Sequence, residues 1–313
     1  MVNNPYEHIP VLLNEVLSYL DVRPGKNFVD ATLGGGGYTQ AILIHSQPKG
    51  KVLAVDLDKD AVENFQFKIS NLKNQATIVQ GNFAQIDKIA ELHKFPSPDG
   101  IVADLGLSSY ELEHRGISFQ TDQPLDMRFN QSQPEDAKFI LNNYDQGRLQ
   151  KIFEEYGEEK FSRQIARQVI GLRAKGVVIK TTTELYQAIV DALPKPVKHK
   201  ADDSARRIFQ ALRIEVNHEL DSLQEFLPKA FDLLGAGGRL VIVSFHSLED
   251  RIVKRFFLGL SKGCVCPPDF PQCICGKNPK GKILTKKPVI ASPEELQKNS
   301  RAKPAKLRAI EKL

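Results

Sequence analysis

The chain has no apolar run that approaches the ~18 residues of a membrane span, and Met1 to His8 carry no charged-then-apolar leader. A membrane protein is excluded, and the expected location is cytoplasmic. A dispersed cysteine framework is also missing. The four cysteines, Cys264, Cys266, Cys273 and Cys275, fall in one stretch, which in a reducing compartment argues against a disulfide scaffold. Internal repeats and low-complexity tracts are absent. With 21 Gly, 18 Pro, 41% hydrophobic and 26% charged residues in 313, collagen-like, coiled-coil and disordered chains are excluded. The length fits one large domain or two smaller ones.

The net charge of +5 is unevenly distributed. From Arg251 to Leu313 there are 15 Lys/Arg and 4 Asp/Glu, whereas the preceding chain holds 28 basic and 34 acidic residues. Such asymmetry points to an anionic partner for the basic segment or to a solvated basic tail. Ser292-Pro-Glu-Glu295 starts a short helix inside it, and Lys277, Lys280, Lys282, Lys286 and Lys287, with a second run from Lys298 to Arg308, are expected to form a phosphate-binding flank.

Short apolar runs at Phe28–Ala31, Lys51–Asp56, Ala76–Val79, Gly100–Asp104 and Arg239–Phe245 read as buried parallel strands. Helical periods separate the first four, which argues for βαβ units with helices on both sheet faces. The rhythm breaks after Asp104. Helices are expected over Ser162–Lys175, Glu184–Leu193 and Asp203–Leu220, then from a capping box at Ser222-Leu-Gln-Glu225 to Leu234. A helical insertion within one α/β domain accounts for this pattern better than two serial domains.

The first strand runs into Asp30-Ala-Thr-Leu-Gly34-Gly35-Gly36-Gly37-Tyr38-Thr39. Glycines at a strand-to-helix turn let the backbone approach a ligand closely. The dinucleotide fingerprint would need its third glycine where Thr39 stands, so the string suits a shorter Gly-x-Gly turn. Asp56, at the tip of the second strand, can accept both hydroxyls of a ribose, as it would in S-adenosylmethionine and NAD enzymes alike. Gly81-Asn82-Phe83 can flank an adenine, or Phe83 is ordinary core. Asp104 ends the fourth strand, where α/β sheets carry reactive groups. Ser108 and Ser109 follow as hydrogen-bond donors or helix caps. No Gly-x-Ser-x-Gly elbow supports a hydrolase. His246 lies at the last strand-to-helix junction, ahead of a Ser247-x-x-Asp250 capping box. Arg206, Arg207 and Arg213 share a helix and can meet phosphates or form internal ion pairs. The cluster Cys264-x-Cys266-x₆-Cys273-x-Cys275 can hold a structural zinc tetrahedrally, or is a reduced loop.

The segments His8-Ile-Pro-Val-Leu-Leu-Asn-Glu-Val, Asp30 to Thr39, Asp104 to Ser109, Pro124-Leu-Asp-Met-Arg128, Ser204 to Arg213 and Val243 to Arg251 together resemble the MraW family over nearly the whole chain. The resemblance implies an α/β, Rossmann-like class I S-adenosylmethionine-dependent methyltransferase with an inserted all-helical domain. The methyltransferase domain would be residues 1–105 and 218–313, and the insertion, 106–217, would recognise RNA. It implies methylation of the exocyclic N4 of a cytosine in the decoding region of 16S ribosomal RNA. The partner would be that RNA within the small ribosomal subunit, with no membrane and with a monomer or homodimer as the working unit.

Carried onto this sequence, the cofactor contacts fall on Gly36, Gly37, Tyr38, Asp56, Phe83, Asp104 and Glu111, beside Gly34 of the turn. The family usually has His where this chain has Tyr38, and Pro-Gln where it has Tyr110-Glu111. An ionised Glu111 accepts hydrogen bonds but does not donate them. Asp104, Ser108, Ser109 and His246 are the candidates for handling the amine protons. The competing reading is a non-catalytic ribosome- or RNA-binding protein that retains a nucleotide-binding fold. An NAD oxidoreductase is disfavoured by the missing third glycine.

Overall fold

The structure is a computed structural model, and it describes residues 10–68, 75–263, 266 and 275–313. In chain order its elements are α1 (Leu13–Leu20), β1 (Phe28–Asp30), α2 (Gly37–Ser46), β2 (Val52–Asp56), α3 (Lys59–Lys68), β3 (Ala76–Gln80), α4 (Ile86–Leu92), β4 (Gly100–Asp104), α5 (Ser109–His114), α6 (Ala137–Asn143), α7 (Gln146–Glu155), α8 (Ser162–Ala174), α9 (Thr182–Ala192), α10 (Ala201–Asn217), α11 (Glu219–Leu233), β5 (Arg239–Ser244), α12 (Ser247–Ser261), β6 (Gly281–Ile283), α13 (Pro293–Lys298) and β7 (Lys306–Lys312). They divide into two compact units. Among the described residues, one is Leu107–Leu220; the other joins residues 10–106 with Asp221–Leu313.

The larger unit is built on a seven-stranded sheet of order β3-β2-β1-β4-β5-β7-β6. β1 to β5 are parallel, whereas β7 runs antiparallel to both β5 and β6. Alternate strand residues serve opposite faces, as a pleated strand requires. Val52 and Ala54 join Val16, Ile42 and Phe65 in one core, while Leu53 and Val55 join Ile86, Phe226 and Phe257 in the other.

The five expected strands are thus the parallel ones, the sheet is extended by antiparallel β7 and β6, and part of the expected basic flank is a strand. In β7 Leu307, Arg308, Ala309 and Ile310 are buried. Arg308 is tolerated there because Asp250 of α12 receives its Nε at 2.5 Å and its Nη2 at 3.2 Å. A buried guanidinium needs such a bidentate partner, so Arg308 is not available to a phosphate.

The smaller unit packs α6 to α10 around one core, with Phe153, Ile165, Leu185, Ile208 and Leu212 at its centre. Asp136, Asp145 and Thr181 cap its helices by accepting backbone N–H groups. Two expectations fail at the end of α10. The helix stops at Asn217 because His218 turns left-handed at φ 50°, and α11 begins at Glu219 rather than from a Ser222 cap. Arg213 takes the ion-pair alternative: it is buried and forks onto Glu219 at 2.8 and 2.9 Å. The Pro124–Arg128 motif is structural as well. Arg128 forks onto Asp126 at 2.7 and 2.9 Å. Asn217 accepts the Phe129 N–H at 2.9 Å and donates to the Met127 carbonyl at 2.8 Å, closing that loop onto α10.

Candidate active site

The carboxyl ends of β1, β2 and β4 carry most of the residues singled out in the sequence. β1 delivers Asp30, which is fully buried. Its Oδ2 accepts the Thr39 hydroxyl at 2.7 Å and its Oδ1 the Thr32 N–H at 3.2 Å. The Thr32 hydroxyl in turn accepts the Asp104 N–H at 2.7 Å. The loop is thereby strapped to the tip of β4. On its other side Gly34 donates its N–H to Asp56 Oδ2 at 2.7 Å, and Leu33 donates to the Val55 carbonyl at 2.9 Å. Gly36 then takes φ 80° as the residue before α2, and a Cβ there would lie 2.0 Å from the Phe65 ring. Glycine is required at this position on both counts.

Asp30, Thr32 and Thr39 are site residues that the motif reading passed over. The available signal was an Asp closing an apolar strand immediately before the glycines.

Burial raises the Asp30 carboxyl to about 7, reinforced by the charge of Asp56 and opposed by the Thr39 and Thr32 hydrogen bonds. Asp56 is pushed up to about 6 by burial, against backbone hydrogen bonds from Asp58 and Gly34. Asp104 is raised to about 7 by burial, with Asp30 and Glu249 adding repulsion and the Gly106 N–H opposing it. None of the ion pairs among the described residues gives Asp30, Asp56 or Asp104 a Lys or Arg partner. Unpaired carboxylates packed this closely form a site prepared for a cationic ligand.

Gly81 donates its N–H to the Asp56 carbonyl at 2.8 Å, which sets Asn82 and Phe83 beside the β2 tip. Asn82 caps the following 3₁₀ turn by accepting the Ala84 N–H at 2.9 Å. Phe83 stands edge-on to Phe226, with ring centroids 4.9 Å apart. Its ring is thus partly committed to the core.

At the β5 end the capping box is shifted by one residue from the expected Ser247/Asp250 pair. His246 is the N-cap, with Nδ1 accepting the Glu249 N–H at 3.4 Å. Glu249 Oε2 returns bonds to the N–H groups of Phe245 at 2.8 Å and His246 at 3.2 Å. The imidazole Nε2 lies 3.0 Å from Glu249 Oε1, though not aligned for a hydrogen bond. The shift follows from burial: Glu249 is 2% exposed, while Asp250 turns to Arg308.

Ser108, Ser109 and Glu111 belong to the other unit. Ser108 is the N-cap of α5: its Oγ accepts the Glu111 N–H at 3.2 Å, and Glu111 Oε2 accepts the Ser108 N–H at 2.7 Å. These polar atoms are occupied by the helix start. The Ser109 side chain lies outside what the structure describes, as do Cys264 and Cys273, so the four-cysteine zinc site falls outside the described residues.

In the same unit, Arg206 and Arg207 take the ion-pair alternative. Arg206 pairs with Asp203 at 2.7 Å and Arg207 with the buried Glu159 at 3.4 Å. By contrast, Lys195, Lys198 and Lys200, on the 3₁₀ turn Lys195–Lys200, are exposed. The adjacent acids are already engaged: Asp202 accepts from the Tyr186 hydroxyl at 2.7 Å, and Asp203 holds Arg206.

The family model described as the MraW methylase family matches residues 5–313. The chain belongs to the MraW methylase family. Ribosomal RNA small subunit methyltransferase H of Carboxydothermus hydrogenoformans is 44% identical over 310 residues, covering 98% of each chain. The protein of that name from Heliobacterium modesticaldum is 44% identical over 311 residues, covering 98% of this chain and 99% of that one. The one from Brevibacillus brevis is 42% identical over 315 residues and covers both chains completely.

The sheet of this methylase is α/β and Rossmann-like, with β1 to β5 parallel in the order β3-β2-β1-β4-β5. The residues present fit S-adenosylmethionine, the donor that the resemblance implies. It carries an ammonium and a sulfonium, and the strand tips offer carboxylates without a cationic partner beside a turn that admits no side chain at Gly36. No helix among the described residues is long and apolar enough to cross a membrane.

Proposed function

We propose that this chain methylates the exocyclic N4 of a cytosine in the decoding region of 16S ribosomal RNA, with S-adenosylmethionine as donor. The observation that carries the reading is the set of three strand-tip carboxylates, Asp30, Asp56 and Asp104, all raised by burial and repulsion and none paired with Lys or Arg. The names of the relatives supply the substrate class.

When bound, S-adenosylmethionine supplies a methyl group on an electrophilic sulfur. The chain's residues do the rest. Gly34, Gly36 and Gly37 leave the backbone open to the ligand. Asp56 retains lone pairs on both oxygens beyond those taken by Gly34 and Asp58, and these take the ribose hydroxyls. Phe83 flanks the base of the cofactor. Asp104 faces the ammonium and, beside it, the amine of the target cytosine.

That amine is a poor nucleophile because its lone pair is delocalised into the ring. An acceptor for its hydrogens favours the pyramidal form that attacks. Asp104 serves as that acceptor in its ionised form, with the hydroxyls of Ser108 and Ser109 as the further candidates, and His246 takes up the released proton. Tyr38 lines the same turn. Ser108 and Glu111 contribute chiefly by fixing the start of α5. Residues 106–217 bind the RNA, with the target base unpaired or flipped to enter the site, and the Lys195–Lys200 turn meets phosphates.

The test is incubation of small subunits lacking the modification with methyl-labelled S-adenosylmethionine, followed by nucleoside analysis. Label in N4-methylcytidine is expected. Label in any other nucleoside overturns the position, and RNA binding without methyl transfer favours the non-catalytic reading.

A further inference from the structure

Asp104 ends β4 opposite Val243 of β5, Val243 stands opposite Leu307 of β7, and Leu307 is bridged to Val289. These residues form one row across the sheet. Adjacent strands lie about 4.8 Å apart, so Val289 is roughly 15 Å from Asp104, at the same carboxyl end of the sheet that carries the glycine turn.

The chain before Val289 is a bulge. Leu307 and Ala309 are neighbours on one side of β7, but their backbone partners Val289 and Leu284 are separated by Thr285 to Pro288, which loop out. Thr285 is buried, and its Oγ1 accepts the Ala309 N–H at 2.9 Å in place of the ladder bond that the bulge removes. Lys286 and Lys287 are left exposed on an anchored loop.

From Val289 the chain crosses the carboxyl end of the sheet to Lys306, which stands opposite Ser244 at the end of β5. Ala291, Ala302 and Ala305 are buried along this crossing. Glu295 of α13 accepts the Leu12 N–H at 2.7 Å, the adjacent Val11 carbonyl accepts the Tyr38 hydroxyl, and a Cβ on Gly37 would strike the Pro10 ring. The crossing is thereby joined through residues 10–12 to the glycine turn, with Lys298 and Lys303 exposed on it. Glu295 is occupied by Leu12, and Lys306 by Asp250 at 3.6 Å. Among the described residues, Lys286, Lys287, Lys298 and Lys303 have no acidic partner.

We propose that Lys286, Lys287, Lys298 and Lys303 form a rim on the larger unit that binds the RNA phosphates flanking the target cytosine. This rests on the reading of ribosomal RNA as the substrate, and it gives the larger unit its own share of RNA binding. A base that enters the site at Asp104 brings its neighbouring phosphates to the carboxyl end of the sheet. Cations already anchored there meet them without a loop having to be ordered first.

The experiment measures binding to small ribosomal subunits lacking the modification, as a function of salt, for wild type and for the protein with all four lysines changed to Gln. The plot of log affinity against log salt should flatten by about 3, the counterion release of four phosphates on single-stranded RNA, while S-adenosylmethionine affinity stays at the wild-type value. The protein substituted at Lys49, Lys88 and Lys94, which lie away from that end of the sheet, should keep the wild-type slope. An unchanged slope in the fourfold variant overturns the rim alone, and a matching loss of S-adenosylmethionine affinity overturns it as a general disruption. A wild type that binds no subunit overturns the substrate reading and the rim with it. Position is read by photo-crosslinking from p-benzoylphenylalanine in place of Lys298, with Lys94 as the comparison site. Crosslinks from position 298 are expected on the nucleotides adjoining the methylated cytosine. Crosslinks confined to other regions, or equal marking of those nucleotides from position 94, overturn the proposal.

Discussion

The backbone N–H of Gly34 donates to Asp56 Oδ2 at 2.7 Å, tying the glycine turn to the tip of the neighbouring strand. Asp56 therefore shapes the turn as well as facing the ligand. Asp56→Ala should release Gly34, cost about 1 kcal/mol in thermal or denaturant unfolding, and weaken S-adenosylmethionine binding by at least about tenfold, because a charged contact is lost with it. Calorimetric affinity within about twofold of wild type contradicts this.

Asp30 titrates near 7 in the folded protein against an ordinary value of 3.8. The folded state thus retains a proton that the unfolded chain has already given up. For this group the stabilisation is complete below about pH 4 and is lost as pH rises through about 7. Asp30→Asn cannot ionise, so its stability relative to wild type should climb between pH 5 and 8 in thermal scans of the apo protein. A difference that stays constant over that interval refutes the assignment.

Gly36→Ala meets two obstacles, a φ of 80° and the Phe65 ring 2.0 Å from the new Cβ. The backbone conformation alone costs about 1–2 kcal/mol, and the overlap adds to it. Adding Phe65→Ala should relieve only the overlap, so the double variant remains less stable than Phe65→Ala alone. Equal unfolding midpoints for those two proteins would show that the left-handed conformation carries no cost.

Lys195, Lys198 and Lys200 should contribute to RNA affinity through phosphate contacts. Changing all three to Gln should flatten the plot of log affinity against log salt by about 2, the counterion release expected of three phosphates on single-stranded RNA. The protein substituted at Lys49, Lys88 and Lys94, exposed lysines of the other unit, is the control and should keep the wild-type slope. Identical slopes for both triple variants remove the Lys195–Lys200 turn from the interface.

Arg308 should behave in the opposite way. It is 8% exposed and forks onto Asp250, so Arg308→Ala leaves a half-buried carboxylate with only Lys306, at 3.6 Å, to balance it. The expected loss is about 3 kcal/mol in denaturant unfolding, with the salt dependence of RNA binding unchanged among molecules that remain folded. A reduced salt slope without loss of stability would return Arg308 to the phosphate-binding surface.

The parallel half of the sheet was legible because each strand is a short apolar run followed by a turn signal, and each ends within a residue or so of its expected limit. β7 was not legible. Both of its faces are buried, Leu307 and Ala309 in one core and Ile310 in the other, and an arginine and flanking lysines interrupt the pattern. Only the pairing of Arg308 with Asp250, 58 residues away in the chain, makes that sequence compatible with a sheet interior. The capping box on α12 was misread for a related reason. Ser247-x-x-Asp250 and His246-x-x-Glu249 are equally good local patterns, and the choice depends on which acid Arg308 claims.

At the candidate site, the turn glycines, Asp56 and Asp104 could be found from local order alone. A strand tip followed by glycines, and acids at neighbouring strand ends, are chemical features of adjacent residues. That Thr32 holds the tip of β4 at Asp104, that Gly34 depends on Asp56, and that Tyr38 holds the Val11 carbonyl are contacts between segments separated in sequence. The sequence by itself determined the succession of elements, through the period of its apolar residues and the glycines and caps that end them. The tertiary structure decided which charges are spent inside the protein and which remain for a ligand, because a carboxylate or guanidinium acquires its role only from what the fold packs against it.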